Sequence, residues 1–212
     1  MKLLVFVMCA AAYAAQDRRA LVPVDEAVSR PDFFTFRARL ATAVAERSPA
    51  AILDAVHPQI KNSFGGDGGI EEFKQMWRLE QPDSTFWKEF GTVLALGGSF
   101  DGAGAFTAPY TFSRWPDDID AFDYVAVVGS DVRIRTLPRA DAPVLRQVSH
   151  FILQLDNEPS SQSGPGEDWT AVKIDGKKGY VATRFVRSPT DYRATFRYTD
   201  GRWWLVFFVA GD

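Results

Sequence analysis

The chain has 212 residues, 46% hydrophobic and 14% aromatic, with 24 basic side chains against 27 acidic ones for a net charge of -3. That length suits one large domain or two small ones, since domains commonly run to roughly 100–150 residues, and the apolar share is ample for a packed core. The charge balance offers no basic patch, so neither nucleic acid nor an anionic membrane surface is expected as a partner.

The chain opens MKLLVFVMCAAAYAAQD. One positive charge at Lys2, an apolar run and the small-x-small site Ala12-Tyr13-Ala14 have the layout of a secretory signal peptide. The run is shorter than the roughly 20 residues a membrane span needs. Cleavage after Ala14 predicts a periplasmic or secreted protein that does not span the membrane. Cys9 is the sole cysteine, so the mature chain would carry no disulfide, no thiolate nucleophile and no cysteine metal ligand. Removal of the leader leaves 23 basic against 27 acidic residues, a net charge of -4.

From Val28 to Gly98 the pattern is helical. Ser29 and Asp32 flank Pro31 in an S-x-x-D arrangement that predicts a capped helix start. Phe33, Phe36, Leu40 and Val44 then share one face. Ser48-Pro49 restarts a helix with Ile52, Leu53 and Val56, and Pro58 keeps it short by disfavouring helical geometry at His57. A third stripe, Ile70, Phe73, Met76 and Trp77, carries Glu71 and Glu72 in its first turn, where carboxylates suit the helix dipole. A fourth, Phe86, Phe90, Val93 and Leu94, stops at the glycine pair Gly97-Gly98.

The glycine-rich SFGGDGGIEEF, Ser63 to Phe73, invites a phosphate-binding reading that its own residues oppose. A phosphate loop needs a lysine and a hydroxyl after its last glycine, and here Ile70-Glu71 follow Gly69. A calcium loop needs spaced oxygen ligands, and only Asp67 fits. The stretch reads as a turn in which Asp67 or a backbone group starts the third helix.

Beyond Gly98 the helical period is lost, and the acidic SRWPDDIDAFD, Ser113 to Asp123, marks a candidate boundary. From Tyr124 the chain reads as short strands, with Asp-Gly hairpin turns at Asp175-Gly176 and Asp200-Gly201. A polar connection, DNEPSSQSGPGED, spans Asp156 to Asp168. At the end, Trp203, Leu205, Phe207 and Val209 alternate with Trp204, Val206 and Phe208. A strand here is apolar on both faces and must be covered on both. The expected division is a leader at 1–14, a helical or α+β domain at 15–123, a small β module at 124–189, and a hairpin at 190–212 packing on the N-terminal domain.

Two resemblances follow from these residues. DVRIRTLPRADAPVLRQV and DWTAVKIDGKKGYVATRFV, within residues 127–188, resemble the two halves of a bacterial SH3-type domain. Asp168 stands where that family usually has glycine, and Arg133 where asparagine is frequent. The resemblance implies a small partly open β-barrel that binds wall peptides or proteins without catalysis, and it nominates Trp169, Tyr180 and Arg133 as ligand-binding residues. HPQIKNSFGGDGGIEEFKQMW resembles the opening of the nuclear-transport-factor-2-like, or SnoaL-like, cone fold, in which helices wrap a curved antiparallel sheet. The expected fold class is therefore α+β, a helical N-terminal part with C-terminal hairpin strands plus an SH3-like barrel.

Catalytic arrays are missing from the sequence. His57 and His150 belong to no zinc motif, and GGSFDG has the wrong spacing for a nucleophile elbow. The acids Glu71, Glu72, Asp117, Asp118 and Asp120 read as solvated surface groups rather than a glycosidase pair. No cofactor or metal is expected. The function expected is a non-catalytic envelope protein that binds peptidoglycan, as wall peptide or glycan, or an envelope protein. The alternative is a small-ligand or enzymatic pocket in the N-terminal part, lined by Phe64, Trp77, Trp87, Phe106, Tyr110 and Trp115.

Overall fold

The computed structural model describes residues 20–66, 68–156 and 168–211. The leader with Cys9, Asp67, and most of the polar connection at 156–168 lie outside the described residues. In chain order the elements are α1 (Pro31–Ala45), α2 (Pro49–Ala55), β1 (Val56–Lys61), α3 (Ile70–Trp77), α4 (Phe86–Ala95), β2 (Ser99–Phe100), β3 (Phe106–Ala108) and α5 (Tyr110–Ser113). Then come β4 (Tyr124–Val127), β5 (Val132–Arg135), β6 (Val144–Val148), β7 (Ile152–Leu155), β8 (Trp169–Ile174), β9 (Lys177–Ala182), β10 (Val186–Arg187), β11 (Arg193–Thr199) and β12 (Arg202–Val209). The fold class is α+β. The chain forms two compact units, one from Pro23–Arg114 with Thr190–Asp212, the other from Trp115–Pro189 with the described residues up to Val22.

In the α+β unit, α1 begins where Pro31 takes the first helical position, which needs no N–H donor. The expected S-x-x-D box does not form. Arg30 is the N-cap residue without a side-chain bond, because Ser29 Oγ donates back to Glu26 O at 2.7 Å. Asp32 is recruited elsewhere, accepting the Trp203 indole N–H at 2.9 Å. That bond, followed by those from Arg30 and the Phe33 backbone, holds the Asp32 carboxyl below its ordinary value of 3.8 against the opposing effect of burial. Ser48 does cap α2, accepting from Ala51 N.

No loop separates α2 from β1. Pro58 stops the helix, and its missing N–H is tolerated because β1 is an edge strand. The sheet order is β1-β12-β11-β3-β2, with β1 parallel to β12 and the other pairs antiparallel. Asp200 and Gly201, both with positive φ (51° and 80°), close the β11–β12 hairpin.

A bulge corrects the simple alternation expected for the last strand. Thr195 pairs with Phe207 but Phe196 with Leu205, so Val206 is the extra residue. Trp203 and Leu205 face the helices, and beyond the bulge Phe208 does. Phe207 is thereby moved to the side of Val206.

One face of this sheet is covered by the helices. Fully buried Phe33, Phe73, Phe86, Phe90, Phe106, Phe196 and Phe208 fill the space between, with ring centroids 4.4 Å apart for Phe33 and Phe106 and 4.9 Å for Phe86 and Phe90. Of the six aromatics expected to line a cavity there, Trp77, Trp87 and Phe106 belong to this core, and Tyr110 is 1% exposed. Trp115 belongs to the other unit, where its indole donates to Ile119 O. Met76, expected on the buried face of α3, is exposed.

The β unit is one antiparallel sheet of order β10-β4-β7-β8-β9-β5-β6. Among the described residues its ladder does not close into a ring. Val127, Val132, Ile134, Leu153, Val172 and Val181 form its core. Asp175 and Gly176, with φ of 49° and 72°, make the β8–β9 turn.

Candidate functional site

Each unit carries a cleft that groups arginines with aromatic rings. The first, about 330 Å³, lies on the β unit and is lined by Arg133, Arg135, Gln147, Trp169, Ala182, Arg184 and Phe185 among others. Directly paired antiparallel residues project to the same side of a sheet. Trp169 pairs with Ala182, Tyr180 with both Ala171 and Arg135, and Arg133 with Gln147, so one face carries Trp169, Tyr180 and Arg133 together. Trp169 and Arg133 line the cleft; Tyr180 stands beside it, opposite Arg135, and is not part of the lining.

Alternation explains this division of labour. Val132, Ile134, Val172 and Val181 turn inward and are buried, which leaves their neighbours Arg133, Arg135 and Tyr180 on the outer face. Arg133 is exposed and Trp169 half-buried. Arg135 is anchored by donating to Ala142 O at 2.7 Å, and the Arg184 guanidinium lies 4.5 Å from the Phe185 ring. Arg135 and Arg184, which sequence reasoning did not select, add two cations; among the described residues Asp131 is the single carboxylate of the lining.

The second cleft, about 600 Å³, lies on the face of the α+β sheet away from the helices. Its floor is Thr195 and Arg197 of β11 and Val206 and Phe207 of β12, and its walls include Lys61, His57, Phe64 and Phe112. Of the residues named from the sequence as cavity lining, Phe64 alone is here. The bulge that moves Phe207 outward, and the chain separation of Phe64, Phe112 and Phe207, hid this site from sequence reading.

Among the described residues no group of three or more His, Cys, Asp or Glu side chains is placed to hold a metal ion, and no helix is long and apolar enough to cross a membrane. A scan against protein-family models finds no match, and searches of curated proteins and of solved structures find none either.

Proposed function

We propose that the protein is an exported, non-catalytic binding protein of the cell envelope, and that its β unit is an SH3-like module, a variant of the partly open barrel. Its ligand in this reading is a short peptide carrying carboxylates, the chemistry of wall peptide. The observation that carries the proposal is the grouping of Trp169 with Arg133, Arg135 and Arg184 around one cleft whose described lining holds a single acid. Arginine matches a carboxylate with two parallel donors, and such charge-assisted bonds are roughly twice as strong as neutral ones. A half-buried tryptophan adds flat contact area for a peptide backbone or side chain. The α+β unit is then a variant of the cone fold that acts as scaffold, its interior being occupied by its own phenylalanines.

The test is isothermal titration of the full chain with soluble peptide fragments released from purified peptidoglycan. Arg133→Gln and Trp169→Ala are each expected to weaken binding about tenfold, as the loss of one charge-assisted bond or one stacked ring requires. Fragments that fail to bind, or that bind both variants as well as the parent, would sink the proposal.

A further inference from the structure

We propose a second, separate binding site on the outer face of the α+β sheet, for a small organic anion with a flat apolar body, an aromatic carboxylate being the simplest example. The cleft of about 600 Å³ has two chemically distinct ends. At one, Phe64, Phe112 and Phe207 gather around Arg193. Phe64 and Phe207 meet edge to face at 5.7 Å, and the Arg193 guanidinium lies 5.0 Å from the Phe64 ring centroid and 4.6 Å from that of Phe112. Phe64 is 52% exposed and Phe112 40%. These are large apolar surfaces left in water beside a cleft rather than folded into the adjacent core, and that is the mark of a binding surface.

The other end is polar and cationic. Arg197, opposite Trp204, is exposed, Lys61 is exposed beside Phe207, and among the described residues no carboxylate belongs to the lining. His57 Nδ1 accepts the Gln59 N–H at 3.1 Å, so Nε2 is its remaining donor. Its ring stands edge to face with Trp204 at 5.5 Å, and the Arg202 guanidinium covers the same indole at 4.2 Å. Thr195 is held by its hydroxyl contact with Thr107 at 3.1 Å.

Rigid local structure presents both ends. Gly66 N donates to Ser63 Oγ at 2.7 Å, a serine turn that sets the backbone at Phe64. The bulge at Val206 turns two successive apolar residues of β12 to the same side. An anion set between Arg197 and His57, which both lie beside Trp204, meets a cation and an N–H donor, while a flat apolar body covers Phe207 and the exposed phenylalanine rings next to Lys61. A simple inorganic anion would use only the cations, and a neutral aromatic only the rings.

The test is a ¹H–¹⁵N titration of the full chain with sodium 2-naphthoate, its neutral isostere 2-naphthamide, and acetate. Naphthoate is expected to bind with a dissociation constant of about 0.1–1 mM, the range for a good fragment of this size, and to shift the amide signals of His57, Thr195, Arg197 and Phe207. The amide and acetate are expected to bind at least about tenfold more weakly. Arg197→Gln, on an exposed side chain, should cost about tenfold with the fold intact, whereas Arg133→Gln in the other cleft should leave naphthoate binding unchanged. Equal binding of naphthoate and naphthamide, shifts centred away from these strands, an unaffected Arg197→Gln variant, or no binding below about 10 mM would each overturn the proposal. None of these outcomes bears on the peptide cleft.

Discussion

Tyr110 shows how much a single buried polar atom can matter. The residue is 1% exposed, and among the described residues its hydroxyl has no hydrogen-bond partner. Burial pushes its pKa from 10.0 up to about 12. A buried donor without a partner costs about 1–3 kcal/mol of desolvation, so Tyr110→Phe is expected to raise stability by about 1 kcal/mol in urea denaturation at pH 7. The pH dependence follows from linkage. Because the folded-state value lies above the unfolded one, the neutral side chain carries no ionisation penalty below pH 10, and stability falls as pH rises from 10 toward 12. Between pH 9 and 11 the parent chain should therefore weaken faster than the phenylalanine variant. Parallel stability curves for the two chains across that range would contradict this account.

At the scale of elements, close backbone approach decides which glycines are irreplaceable. A Cβ on Gly98 would lie 2.1 Å from Thr107 O, a backbone atom of the neighbouring β3 that has no way to retreat without breaking the sheet. Gly201 sits at φ +80° in a hairpin turn with open space around it. Gly98→Ala is expected to cost about 3 kcal/mol through overpacking, and Gly201→Ala about 1 kcal/mol through its left-handed φ alone. Thermal unfolding of the two variants measures the order, and a reversed order would refute the argument. The same contrast between local and long-range causes explains what the sequence made visible. Periodicity marked α1, α3 and α4, and the Asp-Gly pairs marked both hairpin turns, because these signals are local. Arg133, between Val132 and Ile134, was set on an outer face by alternation for the same reason, whereas Trp169 was nominated by the family resemblance alone. β1 was hidden because His57 and Pro58 interrupt its apolar residues Val56 and Ile60, and only its place at the sheet edge makes that proline tolerable. The phase change at Val206 depends on pairing with Thr195 and Phe196, a register that no short stretch of β12 encodes.

At the scale of the whole molecule, the order of the units along the chain has an energetic consequence. β11 and β12 stand in the middle of the five-stranded sheet, between β1 and β3, although they follow every other strand of that sheet in the chain. Val56 waits for Leu205 as its parallel partner, and ordering the intervening β unit first shortens the loop that this contact must close. Among the described residues the hydrophobic cluster of the β unit is built from residues between Val125 and Val186, so it takes nothing from the β11–β12 hairpin. A chain ending at Pro189 would lose Phe196, Trp203, Leu205 and Phe208 from the aromatic core, all of them at most 3% exposed. Each aromatic deletion costs about 3–5 kcal/mol and the leucine about 2–5 kcal/mol, and together, at roughly 11–20 kcal/mol, they are as large as the about 5–15 kcal/mol by which native proteins are stable. The truncated chain is therefore expected to keep slow amide exchange at Val132, Ile134, Val172 and Val181 while Phe33, Phe86 and Phe90 exchange as in an unfolded segment. Hydrogen exchange read by nuclear magnetic resonance distinguishes the outcomes: protection lost throughout would mean that the two units fold as one, and protection kept at Phe33 and Phe90 would mean that the helices are stable without the strands that cover them.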